Sequence, residues 1–455
     1  MVGLSAAMML ARDGHAVTVL ESDPAPAPAD PAEAWDSWER RGVAQFRQPH
    51  NLLPGVRAVL EAELPEMIDR LLASGCSWLD LLAVQPPGVL DREPRAGDER
   101  FRVPTGRRPV VEATFAAVAE ATPGVTVRRG VDVAGLLTGP SDVAGVPHVT
   151  GVRLADGTEL AAELVVDAMG RRSSAESWLP QIGGRAPTVE SQDCGFLYYT
   201  INFRGEQPER LGPVSSPMGS FQLLTLDGDN GTWAVTLGAA SGDQPIKELR
   251  HVDTFLRVVR ACPLQAHWAD GERITDVLPM AGVLDRYRRF VVDGVPVATG
   301  YAAVGDAWAC TNPSAGRGIS VGLMHAQALR DMVRDHLGQP GAFALAWDAA
   351  TEERVTPFYR MQLLMDRARI AQMDADRAGR EPPPQGDPTM TRLLVASGRD
   401  GEMFRALIEV MTGMSLLADV VSRPTVAAKL VELGEGAPSR LPGPDREQLL
   451  ALLSA

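Results

Sequence analysis

Two segments in the last third of the chain have the residue types and spacing of a ligand cradle. The first, Val304-Gly305-Asp306-Ala307, reads as a strand ending in Gly-Asp. Its glycine lets backbone approach a ligand closely, and its aspartate can accept hydrogen bonds from polyol hydroxyls such as a ribityl chain. The second, Pro313-Ser314-Ala315-Gly316-Arg317-Gly318, is a glycine-rich turn opening a helix with apolar positions Ile319, Leu323, Ala326 and Val333. Backbone N–H groups at such a helix start carry partial positive charge, which suits the anionic N1–C2=O edge of a reduced flavin.

Two further segments suggest nucleotide binding. At the start, Leu4 to Asp13 has good helix formers, Gly14 stands where a helix-ending glycine belongs, and Ala16 to Leu20 is a β-branched run ending in Glu21. In a dinucleotide fold a strand feeds a glycine turn that opens a helix, and an acidic residue about 20 positions on binds ribose hydroxyls. Gly3 takes the place of the last turn glycine and Glu21 that of the acidic residue. The strand and G-x-G that should precede Gly3 are not in the sequence. A central parallel strand is buried on both faces and costly to lose, so we expect the natural start upstream of Met1, with a degenerate relative as the alternative. In the middle, Val165-Val166-Asp167-Ala168-Met169-Gly170 reads as a strand ending in Asp-x-x-Gly, a pattern that also serves as an ordinary turn cap.

The elements that position these residues follow from pattern. A helix is expected over Val110 to Glu120, closed by Pro123-Gly124, with strands at Val125–Arg128 and Leu164–Asp167. Cys194–Phe203, Ser220–Thr225 and Trp233–Leu237 are strand-like, with a turn at Asp227-Gly228-Asp229-Asn230-Gly231, and point to an antiparallel sheet. The α/β framework resumes at Val297-Ala298-Thr299 and the helix near Gly318. After Gly338 the pattern is helical, with a proline-rich break at Glu381 to Pro388, and Asp445 with Gln448 forms a capping box. The fold class is therefore α/β with an inserted antiparallel sheet, and the resemblance given below implies a Rossmann-like FAD-binding framework of the glutathione reductase type. The expected divisions are 1–175 and 291–337 for the cofactor domain, 176–290 for the sheet, and 338–455 for a helical region.

Composition narrows the partners. A net charge of −14 without a concentrated basic stripe argues against nucleic acid, and the scattered Arg-Arg pairs, including Arg107/Arg108 and Arg288/Arg289, read mostly as solvated surface. No apolar run is long enough for a membrane span and no basic region precedes the first one, so a cytoplasmic protein is expected. Cys76, Cys194, Cys262 and Cys310 lack metal or dithiol spacing and read as buried reduced thiols. The seven histidines include no H-x-x-x-H pair, so no metal is expected.

Taken in order, the Gly3–Glu21 start, the Asp167/Gly170 segment and the Gly305-Asp306…Gly318 segment resemble class A flavoprotein monooxygenases, the para-hydroxybenzoate hydroxylase-like and squalene epoxidase-like enzymes. The resemblance spans residues 1 to 335. Gln45-Phe46-Arg47-Gln48-Pro49-His50-Asn51-Leu52-Leu53 is similar to the Q-x-R-x-x-H-x-L-L loop of some bacterial members, and Arg108 and Glu112 match an R-x-x-x-E helix start. The chain departs from the family with Ala168 after Asp167 and His325 before Ala326.

The resemblance implies FAD, with Glu21 on the adenosine ribose, Arg108 near the diphosphate, Asp306 on the ribityl chain and Gly316–Gly318 under the isoalloxazine. Pro313, Gly305, Gly3 and Arg47 belong to the same motifs, and Asp167 serves the cleft shared with NAD(P)H. It implies NAD(P)H as electron donor, or a separate reductase, and hydroxylation or epoxidation of a small hydrophobic or aromatic substrate with O2. No catalytic acid or base is assigned. Tyr198, Tyr199, Phe221, Trp233 and Trp308 are candidates to line an apolar pocket, with core packing as the other reading. The alternatives are an FAD-dependent reductase of the polyprenyl reductase-like kind and a non-catalytic homologue. A flavin-dependent halogenase fits poorly, because no W-x-W-x-I-P segment is present and the only lysines are Lys247 and Lys429.

Overall fold

The computed structural model describes residues 1–40, 42–43, 45–381, 387–438 and 440–455. Most of the proline-rich break expected at Glu381 to Pro388 lies outside the described residues. Helix α1 (Val2–Arg12) buries Ser5 through Ala11 and stops because Gly14 adopts φ +92°, which lets the Gly14 and His15 N–H groups bond back to Ala11 and Leu10. Strand β1 (Val17–Glu21) follows. Helix α2 (Arg108–Ala121) starts with Pro109 at a position where no N–H is needed, and the turn at Gly124 leads into β2 (Val125–Arg129). β1 and β2 pair in parallel from Val17↔Val125 to Glu21↔Arg129.

Strand β3 (Val165–Asp167) pairs in parallel with a later strand, described below. A small antiparallel meander at residues 133–161 precedes it. The inserted sheet is built on β4 (Phe196–Arg204), β5 (Phe221–Asp227) and β6 (Thr232–Ala240), in the order β5-β6-β4. The framework returns at β7 (Tyr301–Ala303), parallel to β3, rather than at the expected Val297–Thr299. Thr299 instead bridges to the His148 strand, and Gly300 at φ +69° redirects the chain before β7 begins. A Cβ at Gly300 would sit 2.2 Å from the Val149 carbonyl oxygen, so only glycine makes this bend.

Helix α3 (Gly318–His336) packs along α1, and Met8, Met9, Phe115, Leu323 and Leu329 join in one core between α1, α2 and α3. Each fully buried large side chain there contributes about 1.5–3 kcal/mol. Helices α4 (Pro340–Arg354), α5 (Thr356–Arg377) and α6 (Gly401–Met411) follow, and the last helix has the expected Asp445–Gln448 capping box. Among the described residues no helix is long and apolar enough to cross a membrane.

Alternation along β4 gives the sheet two unlike faces. Leu197, Tyr199, Ile201 and Phe203 join Leu223, Val235 and Leu237 in an apolar core with the helix at residues 252–260 and the C-terminal helix. Tyr198, Thr200 and Asn202 lie on the opposite face, with Gln222 and Thr236 beside them in register. That face is buried and polar.

Candidate functional site

Three chain segments meet with glycine-limited spacing at the ends of β3 and β7. A Cβ on Gly3 would lie 2.7 Å from that of Ala168, so α1 approaches the turn after β3 closely. Gly305 adopts φ +58°, and a Cβ there would lie 3.1 Å from Val2. The Gly305 N–H donates to His325 Nδ1 at 3.2 Å, and His325 Nε2 meets Thr351 Oγ1 at 3.1 Å. Burial pushes His325 down to about 3, so it is a neutral pin between the turn, α3 and α4.

Asp306 follows Gly305. It is surrounded by the fold yet keeps some accessible surface, and it accepts no hydrogen bond among the described residues. Burial raises its carboxyl above the ordinary range, opposed by Arg108 and Arg171.

Arg108, at the first turn of α2, donates to Glu112 at 2.6 Å and to Gln45 at 2.7 Å, and lies 3.1 Å from His50 Nε2. His50 Nδ1 is 2.9 Å from the Gln48 carbonyl, which assigns the ring proton to Nδ1 and leaves Nε2 as the acceptor facing Arg108. Burial, then the Arg108 charge, pushes His50 down to about 3. Burial opposes ionisation of Glu112, but Arg108 and Arg40 outweigh it and hold the carboxyl at about 2. Arg40 also pairs with Glu21 at the end of β1, so Glu21, Arg40, Glu112 and Arg108 form one linked charge cluster.

The glycine turn ends differently. Gly316 takes φ +69°, Gly318 is exposed, and a Cβ on Gly318 would meet nothing within 4 Å. No side chain caps the N-terminus of α3. The turn is anchored by buried Arg317, which donates to the Met411 and Val410 carbonyls of α6 at 2.8 and 3.1 Å. Pro313 opens the turn, and Asn312 ahead of it is buried.

The other expected residues have different settings. Asp167 is buried and accepts from Tyr301 Oη at 2.6 Å, the Met169 N–H at 2.9 Å, and Ser173 Oγ. Arg47 donates to the Trp35 and Trp38 carbonyls, and its guanidinium lies 4.7 Å from the Trp35 ring. It thus stands apart from the Arg108 cluster.

The Arg-Arg pairs need a correction. Arg107 is buried and makes a two-pronged pair with Asp229 at 2.9 and 2.6 Å, locking the β5–β6 turn to the start of α2. Arg288 is fully buried against Glu176 and the Ala307 carbonyl.

Among the aromatic candidates, Tyr199, Phe221 and Trp233 belong to the apolar core of the far sheet face. Trp308 packs on Tyr287, Tyr359 and His325. Only Tyr198 of these five lies on the polar face, where its hydroxyl donates to Asn312 Oδ1 at 2.6 Å. All four cysteines are free and buried. Among the described residues no group of three or more potential metal ligands occurs.

No family model matches the chain. Protein Rv3254 of Mycobacterium tuberculosis is 27% identical over 388 residues, which cover 80% of this chain and 78% of that protein. A probable FAD-dependent monooxygenase of Pseudomonas aeruginosa, PqsL, superimposes with a TM-score of 0.60 at 17% identity, covering 82% of this chain and 94% of that one. The p-nitrophenol 4-monooxygenase PnpA of Pseudomonas putida gives a TM-score of 0.56 at 16% identity, covering 94% of this chain and 95% of that one. The chain therefore has the α/β fold seen in FAD-dependent monooxygenases.

Proposed function

We propose that this protein binds FAD and is a monooxygenase that hydroxylates or epoxidises a small molecule with O2. The observation that carries this reading is Asp306, a carboxylate with no hydrogen-bond partner among the described residues, in a turn that His325 ties to α3, the helix whose start is uncapped. Open space at the Gly318 Cβ fits a flat ring lying against that turn.

In this reading Asp306 accepts hydrogen bonds from the ribityl hydroxyls. The first N–H groups of α3, with Gly316 and Gly318, stabilise negative charge on the pyrimidine edge of the ring. Arg108 offers positive charge to the diphosphate while Glu112 fixes its orientation. Glu21 receives the adenosine ribose, with Arg40 positioning its carboxylate. Asp167 shapes the turn beside the shared cleft through Tyr301 and Ser173. Residues 1–175 and 291–337 then form the cofactor unit, 176–290 cover the substrate side, and 338–455 close it. When bound, FAD supplies the O2 chemistry, and the protein supplies position, charge and exclusion of water. Electrons come from NAD(P)H or from a separate reductase.

The test has two steps. The purified protein should absorb near about 450 nm, as oxidised flavins do. Reduced flavoprotein should then consume O2 and give hydroxylated or epoxidised product in equal amount. Reduction of a substrate double bond without O2 uptake would overturn the monooxygenase assignment in favour of a reductase.

A further inference from the structure

A buried carboxylate next to the glycine turn has no role in the cofactor assignment above. Asp366 on α5 is 5% exposed, and its Oδ1 accepts from Asn312 Nδ2, Ser314 Oγ and Gln362 Nε2, each at 3.0 Å. Its Oδ2 has no partner, and neither has Gln362 Oε1. Leaving a buried acceptor without a donor costs about 1–3 kcal/mol. A proton on Oδ2 is itself the missing donor and needs no room for a ligand. Burial raises this carboxyl to about 6, against three hydrogen bonds that lower it.

The groups whose charges act on Asp366 are Asp285, Tyr198, Cys194 and Arg317. Asp285, on the strand at residues 284–289, has a donor on each oxygen, the Asn312 backbone N–H at 2.8 Å and Gln192 Nε2 at 3.2 Å. Tyr198 and Cys194 keep their protons, since burial raises the phenol and pushes the thiol up to about 12. Burial pulls Arg317 down only to about 10, so it stays charged near neutral pH. Its Nη1 is unpaired too, and it makes no ion pair with Asp366 among the described residues. These two buried charges offset each other at a distance. Negative charge added at the turn upsets that balance, and a proton on the carboxylate with a bare oxygen restores it.

We propose that Asp366 takes up a proton on Oδ2 when the bound flavin is reduced, and holds it until oxygen transfer consumes it. This rests on the flavin reading, because Ser314, which donates to Asp366, lies in the turn set against the isoalloxazine. Oxygen transfer consumes O2, two electrons and two protons, placing one oxygen atom on the substrate and releasing the other as water. Flavin reduced to its anion by NAD(P)H or a reductase carries both electrons and one proton, and Asp366 stores the second. Asp366 returns to the carboxylate as the water leaves.

Redox titration of the FAD-loaded protein at an electrode, without substrate, tests this between about pH 7 and 8, where the oxidised protein holds Asp366 as a carboxylate. The midpoint potential should fall with pH at the slope for two protons per two electrons. Asp366→Asn keeps an oxygen for the three donors but cannot take the proton, so its slope should be half as steep. Infrared difference spectra of the wild type, which need no variant, should show a carboxylic acid C=O band appearing on reduction. The same slope in both proteins, or no new acid band, would overturn the proposal. Protein that takes up no FAD would sink the flavin reading and this one with it. FAD that binds and is reduced without protonating Asp366 would sink this one alone.

Discussion

Asp167 ends strand β3, whereas Asp306 stands in the turn that follows the adjacent parallel strand β7, and the two sit in opposite circumstances. Asp167 is surrounded by donors of the protein itself, from Tyr301, Ser173 and the Met169 backbone. Asp306 has none among the described residues and keeps some accessible surface. The same residue type near the ends of adjacent strands thus sits in two settings. A carboxylate whose bonds are filled by neighbours holds a turn together, whereas one left open at depth costs stability unless something else fills it.

Exchanging each aspartate for alanine gives the sharpest separation. In the proposed site Asp306→Ala would remove charge-assisted bonds to the cofactor and should weaken FAD binding about a hundredfold, measured by equilibrium dialysis, with the flavin-free protein no less stable towards urea. Asp167→Ala leaves the Tyr301 and Ser173 hydroxyls without their acceptor and should cost about 3 kcal/mol in the same unfolding experiment. Stability lost at Asp306 and flavin lost at Asp167 would reverse the roles and break the comparison.

Gly318→Val comes next in size. The new Cβ meets no protein atom within 4 Å, so folding should be little changed while FAD binding in the proposed site weakens about tenfold. Wild-type flavin affinity in this variant would make Gly318 an ordinary loop glycine.

At neutral pH the smallest effect concerns the pin behind Asp306, because it appears only as pH falls below the ordinary histidine value. His325 has a folded pKa of about 3 against an ordinary 6.5, so the unfolded chain takes up a proton before the folded one. Stability present above the ordinary value is lost as pH falls towards about 3. His325→Gln should flatten that decline by about 1.4 kcal/mol per pH unit within the window, seen in unfolding series at several pH values. An identical slope would mean the histidine is protonated in the fold.

Local chemistry made one half of this contrast legible from sequence. The turns at Gly14, Gly305 and Gly316 need left-handed or closely approached backbone, and glycine announces that without knowledge of distant residues. The capping box at Asp445 is equally local. The buried hydrogen bond from Asn312 to Asp366 of α5 was not legible, because it spans 54 positions of chain and nothing in the α5 sequence marks one buried carboxylate among several charged neighbours. Arg107 and Asp229 are 122 positions apart, and a basic pair beside a polar turn reads as surface until the fold joins them. The polar sheet face was present in Phe196–Phe203 as strict alternation, but the aromatic residues on both faces make the run look uniformly apolar. The strand expected at Val297–Thr299 was displaced because Gly300 moves the pairing to the next three residues.

The central claim is that Asp306 and the start of α3 hold a flavin. Titration of FAD into well-folded protein, followed by absorbance and calorimetry together, tests it most directly. Saturable binding of one FAD per chain is expected, abolished or greatly weakened in Asp306→Ala. Folded protein that takes up no FAD at saturating concentration would contradict it.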